Sequence, residues 1–136
     1  MKRILLIPLF VFALLHAEEN YELKLYESII PSIFNERPIK VYLDKDMSRL
    51  LKDSSKFEIV QYCNSSVTLL IGKNFKNLFD ECKGKPVFST SYRSFKNNDN
   101  SIGAFYWRKG RPQIRFKSDA LKRYNLILPS KLQRYR

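Results

Sequence analysis

The segment Ile39–Val60, IKVYLDKDMSRLLKDSSKFEIV, indicates the fold class, because two different hydrophobic patterns alternate along it. Its first five residues, Ile39–Leu43, are typical of a β-strand, and Phe57–Val60 is typical of a second one. Between them, Asp46 is placed to cap a short helix. The apolar face of that helix comprises Met47, Leu50 and Leu51. The pattern therefore predicts a strand–helix–strand unit.

The alternation continues toward the C-terminus. Val67–Ile71 is continuously apolar, as expected for a central strand that is covered on both faces. Asn74 is placed to cap a further helix, which Gly84 ends. The apolar stripe of that helix comprises Phe75, Leu78, Phe79 and Cys82. Val87–Thr90 then predicts another strand, so the chain is expected to form a small α/β domain with a mostly parallel sheet flanked by helices.

One connection does not fit a regular parallel sheet. Gln61–Ser66 has too few residues for a full helical crossover, which usually takes about a dozen. Two alternatives remain at this point. Either the crossover helix has shrunk to one turn, or the strands at 57–60 and 67–71 pair in antiparallel fashion.

Two further elements complete the predicted domain. Residues 21–34 carry apolar side chains on one helical face, with Pro31 placed to bend or end the helix. Near the other end, Ile102–Trp107 and Gln113–Phe116 predict a C-terminal β-hairpin, whose turn needs the positive φ that Gly110 supplies. Ser118 is placed to cap a helix after the hairpin.

The hairpin also carries a functional prediction. Its alternating pattern turns half of the aromatic side chains toward the core, whereas binding to nucleic acid needs aromatic side chains exposed beside cations. We therefore expect a structural hairpin and no nucleic-acid partner. The cations at its tip, Arg108, Lys109 and Arg111, are the expected contacts to an anionic partner.

The N-terminal residues 1–17, MKRILLIPLFVFALLHA, have the pattern of a secretory signal peptide that is cleaved after Ala17. The apolar run Ile4–Leu15 has 12 residues, whereas a membrane-spanning helix needs about 20. We therefore expect an exported, secreted protein. Removing 17 of the 136 residues leaves 119 for a single α/β domain at 18–136.

Removal of this segment changes the available chemistry. His16 is the only histidine, so the mature chain has none, which excludes histidine-dependent catalysis and imidazole metal sites. We expect no enzyme, no cofactor and no metal. Loss of Lys2 and Arg3 lowers the net charge from +12 to +10. An exported cationic protein can meet envelope polyanions, lipid head groups or an acidic patch on a partner protein.

Residues 83–136 resemble the C-terminal half of the YfiR/HmsC family of periplasmic proteins. The matching positions are Gly84, Lys85, Pro86, Val87, Ile102, Gly103, Phe105, Arg115, Phe116, Ser130, Lys131 and Leu132. The resemblance implies a periplasmic, non-enzymatic module similar in fold to half of a periplasmic binding protein. Some members restrain a membrane-bound diguanylate cyclase through its periplasmic domain. A weaker similarity at 39–71 keeps the order strand, helix, strand, strand, which favours the shrunken crossover.

A ligand would bind a parallel sheet at the carboxyl ends of its strands. The candidates there are Asp44, Lys73, Asn74, Thr90 and Arg93. Backbone amides near Asn74, with Lys73 beside them, can hold an anion. Gly72 and Asn74 are also typical of ordinary loop and cap chemistry, which is the interpretation we favour over an anion site there.

The sequence allows two states of the two cysteines, a disulfide or free thiols. Cys63 and Cys82 precede neighbouring predicted strands, so both are expected near the same edge of the sheet. Export favours a disulfide, and closing a loop of about 20 residues would stabilise the fold by about 3 kcal/mol. The alternative is that Cys82 is a buried free thiol on a helix.

These observations predict a regulator of the YfiR/HmsC type that binds the extracytoplasmic part of a membrane protein. The alternative is a small-ligand or anion-binding protein related to ABC-type solute-binding proteins.

Overall fold

The structure, a computed structural model, describes residues 19–75, 78 and 80–136. The strands are β1 (Ile39–Leu43), β2 (Phe57–Ile59), β3 (Leu69–Gly72), β4 (Val87–Ser89), β5 (Ser101–Arg108) and β6 (Arg111–Phe116). The helices are α1 (helical at 19–33), α2 (Lys45–Leu51), α3 (Asp80–Lys83), α4 (Tyr92–Asn97), α5 (Ser118–Arg123) and the 3-10 helix Ser130–Tyr135. The predicted signal peptide, 1–17, lies outside the described residues.

The strands form one sheet in the order β2-β1-β3-β4-β5-β6. β1 to β5 are parallel, and only β6 is antiparallel to its neighbour. The predicted α/β fold, with a mostly parallel sheet, flanking helices and a C-terminal hairpin, is thus confirmed.

The short connection between the parallel strands β2 and β3 contains no helix. β1 lies between these strands and is parallel to both, so β2 and β3 do not pair with each other. Residues 60–68 contain a turn, in which the Val67 amide donates to the Asn64 carbonyl at 3.1 Å. The Asn64 side chain accepts from the Ser66 amide at 2.9 Å. This local bond competes with helix formation, so the expectation of a one-turn helix is wrong.

The predicted N-terminal helix passes through Pro31 and continues to residue 33. The amide of Phe34 still donates to the Ile30 carbonyl at 3.1 Å. Arg37 donates to the carbonyl oxygens of Pro31 and Phe34, each at 2.7 Å. These bonds satisfy carbonyl groups that the end of a helix leaves without partners.

Several predicted caps are displaced. The cap of α2 is Asp44 instead of Asp46, since the Asp44 side chain accepts from the Met47 amide at 3.2 Å. Ser118 is the first residue of α5, whose cap position is Lys117 without a side-chain cap bond. α4 was not predicted at all. Its cap is Ser91, which accepts from the Ser94 amide at 3.1 Å.

The predicted helix from Asn74 to Cys82 is largely wrong. Phe75 and Leu78 are not helical, and the helix in this region is α3, at Asp80–Lys83. Phe79 lies outside the described residues. Phe75 and Leu78 nevertheless pack with Cys82 and Val87. The apolar spacing therefore indicates buried side chains, and a segment that is not helical can bury its side chains as well.

The two faces of the sheet differ in depth. On one side, which we call the thick face, α1, α2, α5 and the 3-10 helix cover a core of 21 buried residues among those described. On the opposite side, the thin face, the described part of the chain has two small clusters of five and three buried residues. Central side chains such as Ile30, Val41 and Phe88 belong to the thick-face core.

The C-terminal hairpin has the predicted geometry. β5 and β6 are joined by Lys109 and Gly110, whose φ angles are +51° and +74°. Positive φ at both residues is the conformation of the two-residue turns that match the twist of a hairpin. Phe105 and Tyr106 point to opposite faces and are both buried. Both faces of β5 are therefore covered up to Tyr106.

Candidate functional site

The carboxyl edge of the sheet brings the two groups of predicted site residues together. Lys73 and Asn74 follow β3, and Thr90 follows β4. β5 is parallel to β4 with Ala104 opposite Ser89, so its last four residues extend beyond this edge. The hairpin tip therefore projects from the same edge that carries the predicted ligand residues.

Asp44 is a structural residue at this edge. One carboxylate oxygen accepts from the Met47 amide at 3.2 Å, and the other accepts from the Lys73 amide at 2.8 Å. A Cβ at Gly72, where φ is +155°, would overlap with the same carboxylate. Asp44 thus links β1, α2 and the end of β3.

Lys73, Asn74 and Arg93 line one cavity of about 570 Å³, which we call the Asn-lined cavity. Its other lining residues are Phe75, Ser91, Ser94, Asn97 and Asn98. The lining has two cations and three side-chain amides, and no carboxylate of the described residues belongs to it. This composition suits an anion, because Lys, Arg and Asn side chains donate hydrogen bonds.

Thr90 lines a different cavity, of about 340 Å³, which Lys73 also borders. We call it the aromatic cavity, since Tyr26, Phe105 and Trp107 line it. Tyr106 also borders it, although its ring packs with Tyr92 on the thin face. Its remaining lining residues are Glu19, Asn20, Glu22, Leu23, Asp46, Met47, Arg49 and Leu50. Sequence reasoning did not find this site, because α1 and the end of β5 meet only in the folded chain.

Trp107 lies where the hairpin contacts α1. Its ring lies 5.7 Å from the Phe105 ring and 6.1 Å from the Tyr21 ring. Its indole N–H donates to the Glu22 carboxylate at 2.5 Å. The side chain is held in place, although 38% of the residue surface is exposed.

Tyr26 is the deepest residue in the wall of the aromatic cavity. Its ring packs edge-on against Phe88 at 5.7 Å and against Phe105 at 6.0 Å. Burial raises the pKa of Tyr26 above its ordinary range, and the negative charges of Glu22 and Asp44 raise it further. The negative charge of Glu22 therefore acts on the interior of this cavity.

The predicted contacts at the hairpin tip, Arg108, Lys109 and Arg111, are exposed. The Arg108 guanidinium lies 5.3 Å from the centre of the Tyr92 ring, which in turn lies 5.8 Å from the Tyr106 ring. No carboxylate in the described ranges is within 4 Å of these three cations. Their charges are thus directed to solvent.

Another cation of the hairpin region is structural. Lys117 donates from its Nζ to the carbonyl of Phe95 at 2.6 Å and to that of Asn98 at 3.2 Å. Burial lowers the pKa of Lys117, while Asp99 raises it and Arg123 lowers it. The ammonium group holds the end of α4 against β5 and β6.

Cys63 and Cys82 form a disulfide, with their Cα atoms 5.9 Å apart. Both residues are buried, and they pack with Val67, Leu70 and Val87 on the thin face. Of the two alternatives for the cysteines, the structure has the disulfide. It is compatible with an oxidising compartment.

Within the ranges that the structure covers, no helix has the length and apolar character needed to cross a bilayer. In the same ranges, no group of three or more acidic, histidine or cysteine side chains is arranged to hold a metal ion. The chain matches no protein-family model, and no curated protein matches it.

Proposed function

We propose that this chain is an exported, non-catalytic regulatory module that binds the extracytoplasmic part of a membrane protein through its cationic hairpin tip. The observation that carries the proposal is the tip itself. Arg108, Lys109 and Arg111 project beyond the sheet, are exposed, and have no acidic neighbour within 4 Å in the described structure.

The tip is preorganised for binding. The two-residue turn fixes the backbone, and six residue pairs join β5 to β6. Tyr92 supports the Arg108 guanidinium at 5.3 Å. The backbone of this surface is therefore already ordered, and binding loses conformational entropy mainly at the side chains. Exposed cations that have no acidic neighbour in the described structure favour an acidic patch on a partner and speed its association.

The N-terminal sequence supports the proposed location. Residues 1–17 have the pattern of a signal peptide cleaved after Ala17, which would deliver the chain to the periplasm. The disulfide is compatible with that compartment. The resemblance of residues 83–136 to the YfiR/HmsC family supports a regulatory role, since some members restrain a membrane-bound diguanylate cyclase.

The test is covalent cross-linking of the periplasmic protein in the cells that produce it. Wild-type protein should cross-link to a membrane protein with an extracytoplasmic domain, and the triple variant R108A/K109A/R111A should lose that product. The matched control is K52A/K56A/K122A, which removes three exposed lysines at the opposite edge of the sheet. The control should retain the cross-link.

Salt provides a second measurement. Binding through exposed cations should weaken as ionic strength rises, because the Debye length falls from about 10 Å at 0.1 M to about 3 Å at 1 M. A complex that survives the tip substitutions and high salt would show that the tip is not the contact.

A second candidate function is anion or small-ligand binding of the kind seen in ABC-type solute-binding proteins. The Asn-lined cavity favours it, because Lys73, Asn74 and Arg93 meet there in a volume of about 570 Å³. An anionic metabolite should raise the melting temperature of the wild type, and Lys73→Ala should abolish that rise. No shift with any anionic metabolite would exclude this candidate.

A further inference from the structure

The aromatic cavity lies where the topology of the sheet reverses. From β1 the chain moves outward to β2, and then it returns to β3 on the other side of β1. In open α/β sheets, ligands bind in the crevice outside the carboxyl ends of the strands at such a reversal. Asp46 follows β1, Lys73 follows β3, and both line the cavity.

The charges around the cavity leave one carboxylate without a cationic partner. Arg49 pairs with Glu19 at 2.6 Å, and Lys73 pairs with Asp46 at 3.9 Å. Glu22 accepts only the neutral indole N–H of Trp107, and no lysine or arginine nitrogen of the described chain lies within 4 Å of it. The described residues that line the cavity therefore carry a net negative charge, in a protein whose overall charge is strongly positive.

The aromatic side chains stand beside that charge. Tyr26, Phe105 and Trp107 line the cavity, and the Glu22 carboxylate accepts a hydrogen bond from the Trp107 indole N–H. An aromatic face attracts a cation within about 6 Å of its centre, most strongly when the ring is tryptophan. The volume of about 340 Å³ falls at the lower end of the range for small-molecule pockets.

We propose that the aromatic cavity binds a small organic ammonium ion, whose positive charge lies against Glu22 and the ring of Trp107. The site is separate from the hairpin tip and takes a ligand of opposite charge to that of the Asn-lined cavity. It goes beyond the proposed regulatory function, because that function needs no small molecule.

The wild-type chain contains its own reporter. Trp107 is its only tryptophan, so its fluorescence reports occupancy of this cavity. Choline and phenethylamine are the probes, and 3,3-dimethyl-1-butanol is the uncharged isostere of choline. We expect a saturable fluorescence change and a rise in melting temperature with at least one of the two ammonium probes below about 10 mM, and neither effect with the alcohol.

The matched variants separate the charge from the shape of the cavity. Glu22→Gln keeps an oxygen that can accept from the Trp107 indole and removes the negative charge, so ammonium binding should weaken about tenfold or more. Glu27→Gln makes the same change elsewhere on α1, at a residue that accepts from the Ser54 hydroxyl. It should leave ammonium binding unchanged.

Three results would overturn the proposal. One is the absence of saturable binding by both ammonium probes to the wild type. Another is equal binding of choline and its uncharged isostere, a comparison that needs no variant. The third is equal weakening of ammonium binding by Glu22→Gln and Glu27→Gln.

Discussion

The two faces of the sheet are covered in different ways. On the thick face, α1, α2, α5 and the 3-10 helix cover a core of 21 buried residues among those described. The thin face has small clusters, and Cys63 and Cys82 are covalently joined within the larger one. The face without long helices thus carries the cross-link, which stabilises a fold mainly by constraining the unfolded chain.

The connections explain why the thin face is shallow. The segment from β2 to β3 contains no helix, and Phe75 and Leu78 are only partly buried after β3. Lys40 and Glu58 form an ion pair at 3.9 Å, with side chains 45% and 52% exposed. An exposed pair of this kind contributes little to stability. We therefore expect the disulfide to make the main contribution to the stability of the thin face.

Two aliphatic substitutions of similar volume compare the faces directly and have the largest expected effect. Ile30→Ala on the thick face should lower the free energy of unfolding by about 4 kcal/mol, because a large rigid core cannot close around the lost atoms. Leu70→Ala on the thin face should cost about 2 kcal/mol. Urea denaturation at equilibrium measures both. Equal losses would show that the faces do not differ in rigidity.

Removal of the disulfide is expected to have the next largest effect. The double variant C63A/C82A should lose about 3 kcal/mol of stability, since the unfolded chain regains the entropy of a closed loop of about 20 residues. Urea denaturation gives the total, and hydrogen exchange should show faster opening near Leu70 and Val87 than near Ile30. A reducing agent should destabilise the wild type and leave the double variant unchanged. Unchanged stability of the double variant would contradict the role given to the disulfide.

The buried phenol of Tyr26 makes the thick face sensitive to alkaline pH. Its pKa is raised by burial and then by Glu22 and Asp44, so the unfolded chain loses the proton first as pH rises. Stability is therefore retained below about pH 10 and falls above it, by about 1.4 kcal/mol per pH unit. Tyr26→Phe should reduce this slope in urea denaturation at a series of alkaline pH values. Identical slopes would show that Tyr26 does not titrate on unfolding.

The hairpin tip should contribute least to stability. Arg108, Lys109 and Arg111 are exposed, so R108A/K109A/R111A should change the free energy of unfolding by less than about 0.5 kcal/mol. The control K52A/K56A/K122A should behave in the same way. A loss above about 2 kcal/mol would mean that the tip cations are part of the fold, and the cross-linking result would then need a second variant at Lys109 alone.

Local patterns predicted most of the elements of the sheet. The strands near 39–43, 57–60 and 87–90, and the hairpin, were recognised because alternation, flanking turn residues and a glycine at the turn act over a few residues. The cap of α2 was displaced by two residues, because Asp44 can bond to Met47 and Lys73 together. The apolar stripe before Cys82 correctly indicated buried side chains, but it wrongly predicted a helix. The side chains are buried by neighbours that are distant in sequence, and such burial does not require a helix.

The class of the fold and the excess of positive charge follow from the sequence alone. The position of β1 between β2 and β3, the bond of Cys63 to Cys82, and the contact of Glu22 with Trp107 across 85 positions of sequence emerge only in the folded chain. Propensity and periodicity act between near neighbours, whereas hydrophobic burial is non-directional and does not specify which surface is buried against which. Which surfaces are buried against each other therefore depends on how all the elements pack together.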